Sequence, residues 1–323
     1  MNVSPLLSIV IPTHDTRELT LRCLESLFRS AVPGMEVIVV DDASRDGTAE
    51  AIRERHPEVT VLRNETPARF TRSANLGLDR TRGDLLLLLN SDTEVEPGSL
   101  AGLLSVFQGK PKLGIAGGLL HYPDGSPQWS GGKEPTVAWF FALSSGLPAL
   151  LGRLPLYRRA KPLDPRRPAR VDWVSGAALA MRREVWEASG PLDEGFRFYA
   201  QDLDLCTRAG RAGWQIQIRP EFRVLHHHGA TIGRAPGARS RQNLELLWSD
   251  LLRWARKHHG PAWAARAEAA LRAGARLRLA SRGVAGPFVS GGRREEWRAE
   301  DGVVRWALQG LAAPPPPGDE SPG

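Results

Sequence analysis

The residues best suited to chemistry stand where apolar runs stop. Gly83-Asp84 leads into five leucines, Leu85 to Leu89, and the run ends at Asn90-Ser91-Asp92. Such a run reads as a strand buried on both faces, as in parallel sheets. Open α/β sheets place ligands at the carboxyl ends of their strands. Paired oxygen ligands there suit a hard divalent cation that keeps waters and holds a diphosphate. The same residues also suit a helix cap, since Pro97 is expected to open a helix just beyond. Pro12-Thr13 and Asp41-Asp42 end two earlier apolar runs. Three polar strand ends would form one rim, with carboxylates suited to the donors of a base and ribose and to a metal that holds phosphates.

Two later stretches add candidates. Gly190-Pro191-Leu192-Asp193-Glu194-Gly195-Phe196-Arg197-Phe198-Tyr199 runs into Ala200-Gln201-Asp202-Leu203-Asp204-Leu205. Asp202, at a helix start, reads either as a cap or as a general base. Phe196, Phe198 and Tyr199 favour a semi-apolar pocket, where a desolvated carboxylate is a better base. His226-His227-His228-Gly229 follows two short strands, Ile216–Ile218 and Arg223–Leu225. Three histidines can ligate a metal, and such runs also occur on surfaces without a role. Ser175 to Ala178 are small and permit close approach of a ligand or another backbone.

The elements that must position these residues alternate. Leu6–Thr13 is a strand. Asp15 with Glu18 resembles a capping box, and the helix behind it carries Thr20, Cys23, Leu24, Leu27 and Phe28 on one stripe. Strands follow at Met35–Val40, Val59–Arg63 and Leu113–Gly117, with helices to about His56, at Arg72–Thr81 and at Pro97–Phe107. Strand–helix alternation predicts an α/β fold with a parallel sheet. No strand feeds a Gly-x-Gly-x-x-Gly turn and no Walker lysine loop is present, which argues against a dinucleotide oxidoreductase and a P-loop nucleotidase. Past Gly118 the alternation stops, and Tyr122-Pro123-Asp124-Gly125 signals a hairpin. Leu244, Leu247, Trp248, Leu251, Leu252 and Ala255 form an amphipathic stripe. Pro261 opens a second helix, with Trp263, Ala267, Ala270 and Leu271 on one face. Beyond about Ala312 the Pro-rich tail is expected to be disordered.

With 323 residues, 41% hydrophobic and 24% charged, the composition is that of a soluble globular protein. The net charge is +7 and the excess sits late: Arg234 to Ala299 holds 14 basic residues against five acidic. Such a region suits nucleic acid, anionic lipid or a phosphorylated substrate, and equally a solvated helical surface. Cys23 and Cys206 read as small core residues, and no disulfide framework or zinc site is expected. Met1 to Pro5 shows no basic leader, so a cytoplasmic location is expected. Pro135 to Gly152 carries no charge and is followed by Arg153, Arg158, Arg159, Lys161, Arg166, Arg167 and Arg170. Gly146 and Pro148 break it, which argues against a membrane span. Apolar plus basic suits a segment lying on an anionic membrane surface, and equally a buried helix with a basic loop behind it.

In this order and spacing, Ser8-Ile9-Val10-Ile11-Pro12-Thr13, Val39-Val40-Asp41-Asp42-Ala43-Ser44, Asn90-Ser91-Asp92, the Gly190–Glu194 and Gln201–Leu205 pair, and Val224-Leu225-His226-His227-His228-Gly229 resemble the family 2 glycosyltransferases, specifically their rhamnosyltransferase-like bacterial members. The resemblance covers about Leu7 to Gly233. It implies a GT-A fold: a Rossmann-like, mostly parallel sheet flanked by helices, with residues 1–118 as the nucleotide-sugar half and 119–233 as the acceptor half. Residues 234–311 would be a basic helical extension and 312–323 the tail. It implies inverting transfer of a sugar, with rhamnose from dTDP-rhamnose the first choice, to a glycan or lipid-linked acceptor in cell-surface polysaccharide synthesis. Pro12, Thr13 and Asp42 would hold base and ribose, and Asn75, in Ser73-Ala74-Asn75, would line the donor site. Asp92, in the motif opened by Asn90, would bind Mg²⁺ or Mn²⁺, His226 would complete the metal or diphosphate site, and Asp202 would be the general base. Asn90 stands where the family often has Asp, and Gln201 where Glu is usual.

One base and one Lewis acid suffice for such a transfer, without the second catalytic carboxylate of a hydrolase. A sugar-phosphate nucleotidyltransferase would carry a Gly-rich basic loop after the first strand, where this chain has Pro12-Thr13-His14-Asp15. A degenerate glycan-binding or nucleic-acid-binding protein is the non-enzymatic alternative. No nucleic-acid-binding motif is present, so nucleic acid is not an expected partner, whereas peripheral contact with the inner face of an anionic membrane is.

Overall fold

The structure is a computed structural model and describes residues 7–147, 167–227 and 238–311. The readings of Met1–Pro5, of Pro148–Gly152, of Arg153, Arg158, Arg159, Lys161 and Arg166, of His228–Gly233 and of the tail 312–323 lie outside the described residues. The chain divides into two compact units, one of residues 1–134, 162–194 and 201–232, the other of 135–161, 195–200 and 233–323. The C-terminal helices group with two pieces from the middle of the chain.

In the first unit the strands are β1 (Leu7–Thr13), β2 (Met35–Asp41), β3 (Thr60–Arg63), β4 (Leu85–Leu89), β5 (Thr93–Val95), β6 (Leu113–His121), β7 (Gly131–Gly132), β8 (Ala169–Val171), β9 (Trp173–Val174), β10 (Ala178–Arg182) and β11 (Gln215–His226). Helices α1 (Arg17–Arg29), α2 (Thr48–Arg55), α3 (Phe70–Leu78) and α4 (Ser99–Phe107) belong to this unit, and α5 (Val137–Ser145) to the other. Helices α6 (Arg183–Ser189) and α7 (Gln201–Arg211) return to the first, and α8 (Ala238–His259), α9 (Pro261–Ala285) and α10 (Gly291–Gly310) complete the second.

The main sheet runs β3-β2-β1-β4-β10-β6-β11-β5, with β8 on β11. Strands β3, β2, β1 and β4 are parallel, as the alternation requires. Strand β10 then enters antiparallel between β4 and β6, and β6 pairs parallel with β11. All five leucines of β4 are buried, Leu87 and Leu89 on one face of the sheet and Leu86 and Leu88 on the other. Register brings the polar strand ends to one edge. Thr13 pairs with Asp41, Val10 pairs with Leu88, and Thr16 Oγ1 meets Ser91 Oγ at 3.1 Å. The predicted strands 216–218 and 223–225 are one strand, β11, with a register shift between Arg219 and Arg223.

Two local readings change. Asp15 does not cap α1: its φ is +51° and its carboxylate accepts from Arg45 N at 2.7 Å, tying the β1 loop to the loop after β2. Asp92 is followed by a strand, β5, and only then by α4, whose N-cap is Gly98. A helix cap therefore does not explain the Asn90–Asp92 cluster.

In the second unit α5 crosses α9 at Gly274, where a Cβ would collide with Ser144 Oγ and the Phe141 carbonyl. Ser144 Oγ donates to the Leu271 carbonyl at 2.8 Å across the same crossing. Trp263 packs edge-on against Phe140 and Trp254 and stacks with His259. Asp250 accepts from three consecutive amides, Arg197 N at 3.2 Å, Phe198 N at 2.9 Å and Tyr199 N at 2.8 Å. Burial pushes its carboxyl above the usual range, opposed by those amides. Among the described residues no helix is long and apolar enough to cross a membrane.

Candidate active site

Strand pairing builds the first part of the site. β11 lies antiparallel to β5 with His226 opposite Thr93, and His227 N donates to the Asp92 carbonyl at 2.9 Å. His226 Nε2 thereby comes within 3.3 Å of Asp92 Oδ1, both side chains being buried. Gln128 fixes the ring. Its Nε2 donates to the His226 carbonyl at 2.6 Å, so its Oε1 faces His226 Nδ1, at 2.9 Å. An amide oxygen only accepts, so Nδ1 carries the proton. In the neutral ring Nε2 presents its lone pair toward the Asp92 carboxylate, the tautomer and outer-shell support of a metal-bound histidine. Two acceptors this close repel unless a positive charge, a cation or a second ring proton, accompanies them.

Asn90 Oδ1 is buried and makes no hydrogen bond among the described residues. The Asp92 carboxylate and the His226 ring nitrogen, 3.3 Å apart where β4 and β11 end, fit a divalent cation, and Asn90 stands two residues before Asp92 in the same turn. Among the described residues no group of three His, Cys, Asp or Glu side chains gathers there. Such a sparse set suits Mg²⁺ or Mn²⁺ holding waters and substrate phosphates. Its neighbour in sequence, His227, instead meets Glu94 Oε1 at 2.8 Å.

Asp202 lies at the first turn of α7 and bridges to the turn that leads into β10, the strand beside β4. Its Oδ2 accepts from Gly176 N at 2.8 Å, and its Oδ1 from Leu203 N at 2.8 Å. The next residue, Ala177, accepts from Asn90 N at 3.1 Å through its carbonyl. A continuous hydrogen-bonded path thus joins Asp202 to the Asn90–Asp92 turn. Asp202 keeps partial access to solvent, yet protein encloses it deeply enough that burial raises its carboxyl, with the Gly176 and Leu203 amides opposing. The Gly190–Glu194 segment is locked to the same helix. Asp204 is fully buried and holds Arg208 at 2.9 Å, and Arg208 donates to the carbonyls of Ser189, Gly190 and Pro191. Gln201 is buried beside Asp202, and its Oε1 has no hydrogen-bond partner among the described residues.

The residues expected to face a nucleotide are all buried, and three are engaged with protein. Thr13 Oγ1 meets Thr16 and Thr20 at 2.8 and 2.7 Å. Asp42 Oδ1 accepts from Asn64 Nδ2 and Ala68 N, and Oδ2 from Arg69 N at 3.0 Å. Asn75 exchanges two 2.9 Å bonds with the Leu192 backbone. Thr13 packs beside Pro12 at the end of β1, Asp42 shapes the 64–69 loop, and Asn75 clamps α3 to the Gly190–Glu194 segment. Sequence reading misses Gln128 altogether, since its partner is 98 residues away and no local pattern marks it.

The pattern described as Glycosyl transferase family 2 matches residues 8–185. The N-acetylglucosaminyl-diphospho-decaprenol L-rhamnosyltransferase of Mycobacterium tuberculosis is 30% identical over 254 residues, covering 73% of this chain and 80% of the relative. The O-antigen biosynthesis protein RfbC of Myxococcus xanthus is 29% identical over 71% of this chain and 18% of its own length. The mannosyltransferase PcManGT of Pyrobaculum calidifontis, in complex with GDP-Man and Mn²⁺, shares the fold at TM-score 0.60 and 16% identity, over 96% of this chain and 87% of its own. Sheet order, site geometry and these likenesses agree: the chain is a GT-A enzyme that belongs to glycosyl transferase family 2.

Proposed function

We propose that this enzyme is a metal-dependent inverting transferase. It moves L-rhamnose from a dTDP donor to an N-acetylglucosaminyl diphospho-polyprenol or a related glycan in cell-surface polysaccharide synthesis. The sugar and acceptor come from the likeness to the M. tuberculosis relative. The observation that carries the chemistry is the buried Asp92–His226 pair, with the His226 tautomer held by Gln128.

Asp92 and His226, with Asn90 beside them, would hold Mg²⁺ or Mn²⁺, which when bound supplies charge neutralisation to the leaving diphosphate. Pro12, Thr13 and Asp42 wall the base and ribose pocket. Asp42 Oδ2 accepts one amide and keeps a lone pair for an imide or hydroxyl donor. Asn75 acts on the donor side by fixing the Leu192 backbone. Asp202 takes the proton from the acceptor hydroxyl as that oxygen attacks the anomeric carbon opposite the leaving group. Its raised pKa strengthens it as a base. Gln201, neutral where an acid is usual, leaves Asp202 as the proton acceptor of that segment.

The test is a transfer assay with dTDP-L-rhamnose, Mn²⁺ and a short-chain N-acetylglucosaminyl diphospho-lipid, the product's anomeric configuration being read by NMR. An inverted anomeric centre in the wild type, with turnover lost in Asp202→Asn, is the expected outcome. Retained configuration, or full turnover in Asp202→Asn, contradicts the assignment.

A further inference from the structure

Trp129 is 52% exposed, which is unusual for so large an apolar ring. Its indole meets that of Trp173 edge to face, the centroids 5.2 Å apart and the planes at 73°. The two rings stand on the small sheet of β7 and β9, in which Gly131 pairs with Val174 and Gly132 with Trp173. Gly131, with φ +151°, leaves no room for a Cβ beside the Trp173 carbonyl. A Cβ on Gly132 would stand 3.5 Å from Trp129 Nε1 and 3.6 Å from Trp173 Nε1, so both polar ring edges converge on this backbone. Trp173 Nε1 donates to the Lys133 carbonyl at 3.2 Å, which fixes its ring. Lys133 and Asp172 pair at 3.4 Å with most of the lysine side chain in solvent.

This pair adjoins the proposed base. β9 reaches Gly176 two residues beyond Val174, and the Gly176 amide holds Asp202. Ser175 N donates to the Ser130 carbonyl at 2.9 Å, next to Trp129. The Ser175-Gly176 backbone that follows Trp173 thus hydrogen-bonds both to Ser130, next to Trp129, and to the Asp202 carboxylate.

We propose that Trp129 and Trp173 form the platform on which the pyranose ring of the acceptor stacks, presenting its hydroxyl to Asp202. The inference rests on the transferase reading above and assigns the acceptor subsite within it. A pyranose has an apolar C–H face and a rim of hydroxyls. The indole matches the first, as large rigid aromatic surfaces do in recognition, and Lys133 and Asp172 match the second as donor and acceptor. A polyprenyl tail would find charged groups at that rim, so the ring, not the lipid, is the occupant.

The experiment compares wild type, Trp129→Ala and Trp129→Phe with N-acetylglucosaminyl-diphospho-farnesol as acceptor probe and farnesyl diphosphate as the sugar-free probe. Binding is read by tryptophan fluorescence. Donor binding is read separately as the thermal shift given by dTDP-rhamnose with Mn²⁺. The platform predicts that Trp129→Ala weakens the sugar-bearing probe by about tenfold or more, equivalent to about 1.4 kcal/mol, and that Trp129→Phe recovers most of the loss. Farnesyl diphosphate binding and the donor thermal shift stay the same in all three. Unchanged affinity in Trp129→Ala, an equal loss for farnesyl diphosphate, or donor binding with no sugar-probe binding in the wild type overturns the platform alone. Absence of any donor shift in the wild type defeats the transferase reading, and the platform with it.

Discussion

At the residue scale, the site depends on side chains whose state is set by neighbours far away in sequence. Asp202 is the clearest case. Burial raises its carboxyl, against the pull of the Gly176 and Leu203 amides, so a fraction of it is protonated at a pH where an ordinary aspartate is fully ionised. Only the ionised form accepts a proton. Turnover should therefore rise with pH along a limb that lies above the ordinary aspartate value of about 3.9. A pH profile of kcat/KM checks this, and a flat profile through the acid range contradicts it. Asp202→Asn should lower turnover by about 10²- to 10⁴-fold, the usual reach of one general base, while donor affinity is retained in a binding titration. Gln128→Leu removes the acceptor for His226 Nδ1–H. The expected result is about 10- to 100-fold weaker Mn²⁺ binding, as for other outer-shell partners of metal histidines, measured by electron paramagnetic resonance of free Mn²⁺.

At the element scale, glycines and buried carboxylates set how closely pieces approach. Asp250 on α8 satisfies three amides of the 197–199 segment. Asp250→Ala leaves those donors unpaired and should cost about 2–4 kcal/mol in urea unfolding, at about 1–3 kcal/mol for each unsatisfied donor less what water recovers. Gly274→Val forces apart α5 and α9, and overpacking of this kind costs about 1–3 kcal/mol; the same unfolding measurement reads it. Much of this scaffold was legible in the chain. Leu85–Leu89 announced a strand buried on both faces, Pro261 announced the start of α9, and the stripe Thr20, Cys23, Leu24, Leu27 announced the inner face of α1. The antiparallel entry of β10 between β4 and β6 was not legible, because its partners are fixed by tertiary pairing and its own sequence, Ala178–Arg182, is short and unpatterned. Asp15 misled for a related reason: its spacing to Glu18 matches a capping box, but a partner 30 residues away, Arg45 N, takes its carboxylate. The residues proposed for the donor site read in the sequence as a polar rim, and their contacts did not, since Asp42 and Asn75 spend their hydrogen bonds on loops that no local pattern connects to them.

At the scale of the whole molecule, the net charge of +7 and the late run of basic residues favour contact with an anionic surface, where each Lys or Arg near the membrane contributes about 1 kcal/mol. Sedimentation with phosphatidylglycerol-containing vesicles at low salt, lost at high salt as screening shortens the reach of these charges, is the expected behaviour. Failure to sediment at any ionic strength removes the membrane from the account. We propose the strand ends of β4, β5 and β11 as a cation-dependent nucleotide-sugar site. The most direct measurement is the thermal shift of wild type, Asp92→Ala and His226→Ala with a panel of nucleotide sugars, each with and without Mn²⁺. One donor should stabilise the wild type only when Mn²⁺ is present, and Asp92→Ala should abolish this shift while His226→Ala reduces it. Equal stabilisation with and without Mn²⁺, or a full shift in Asp92→Ala, would contradict it.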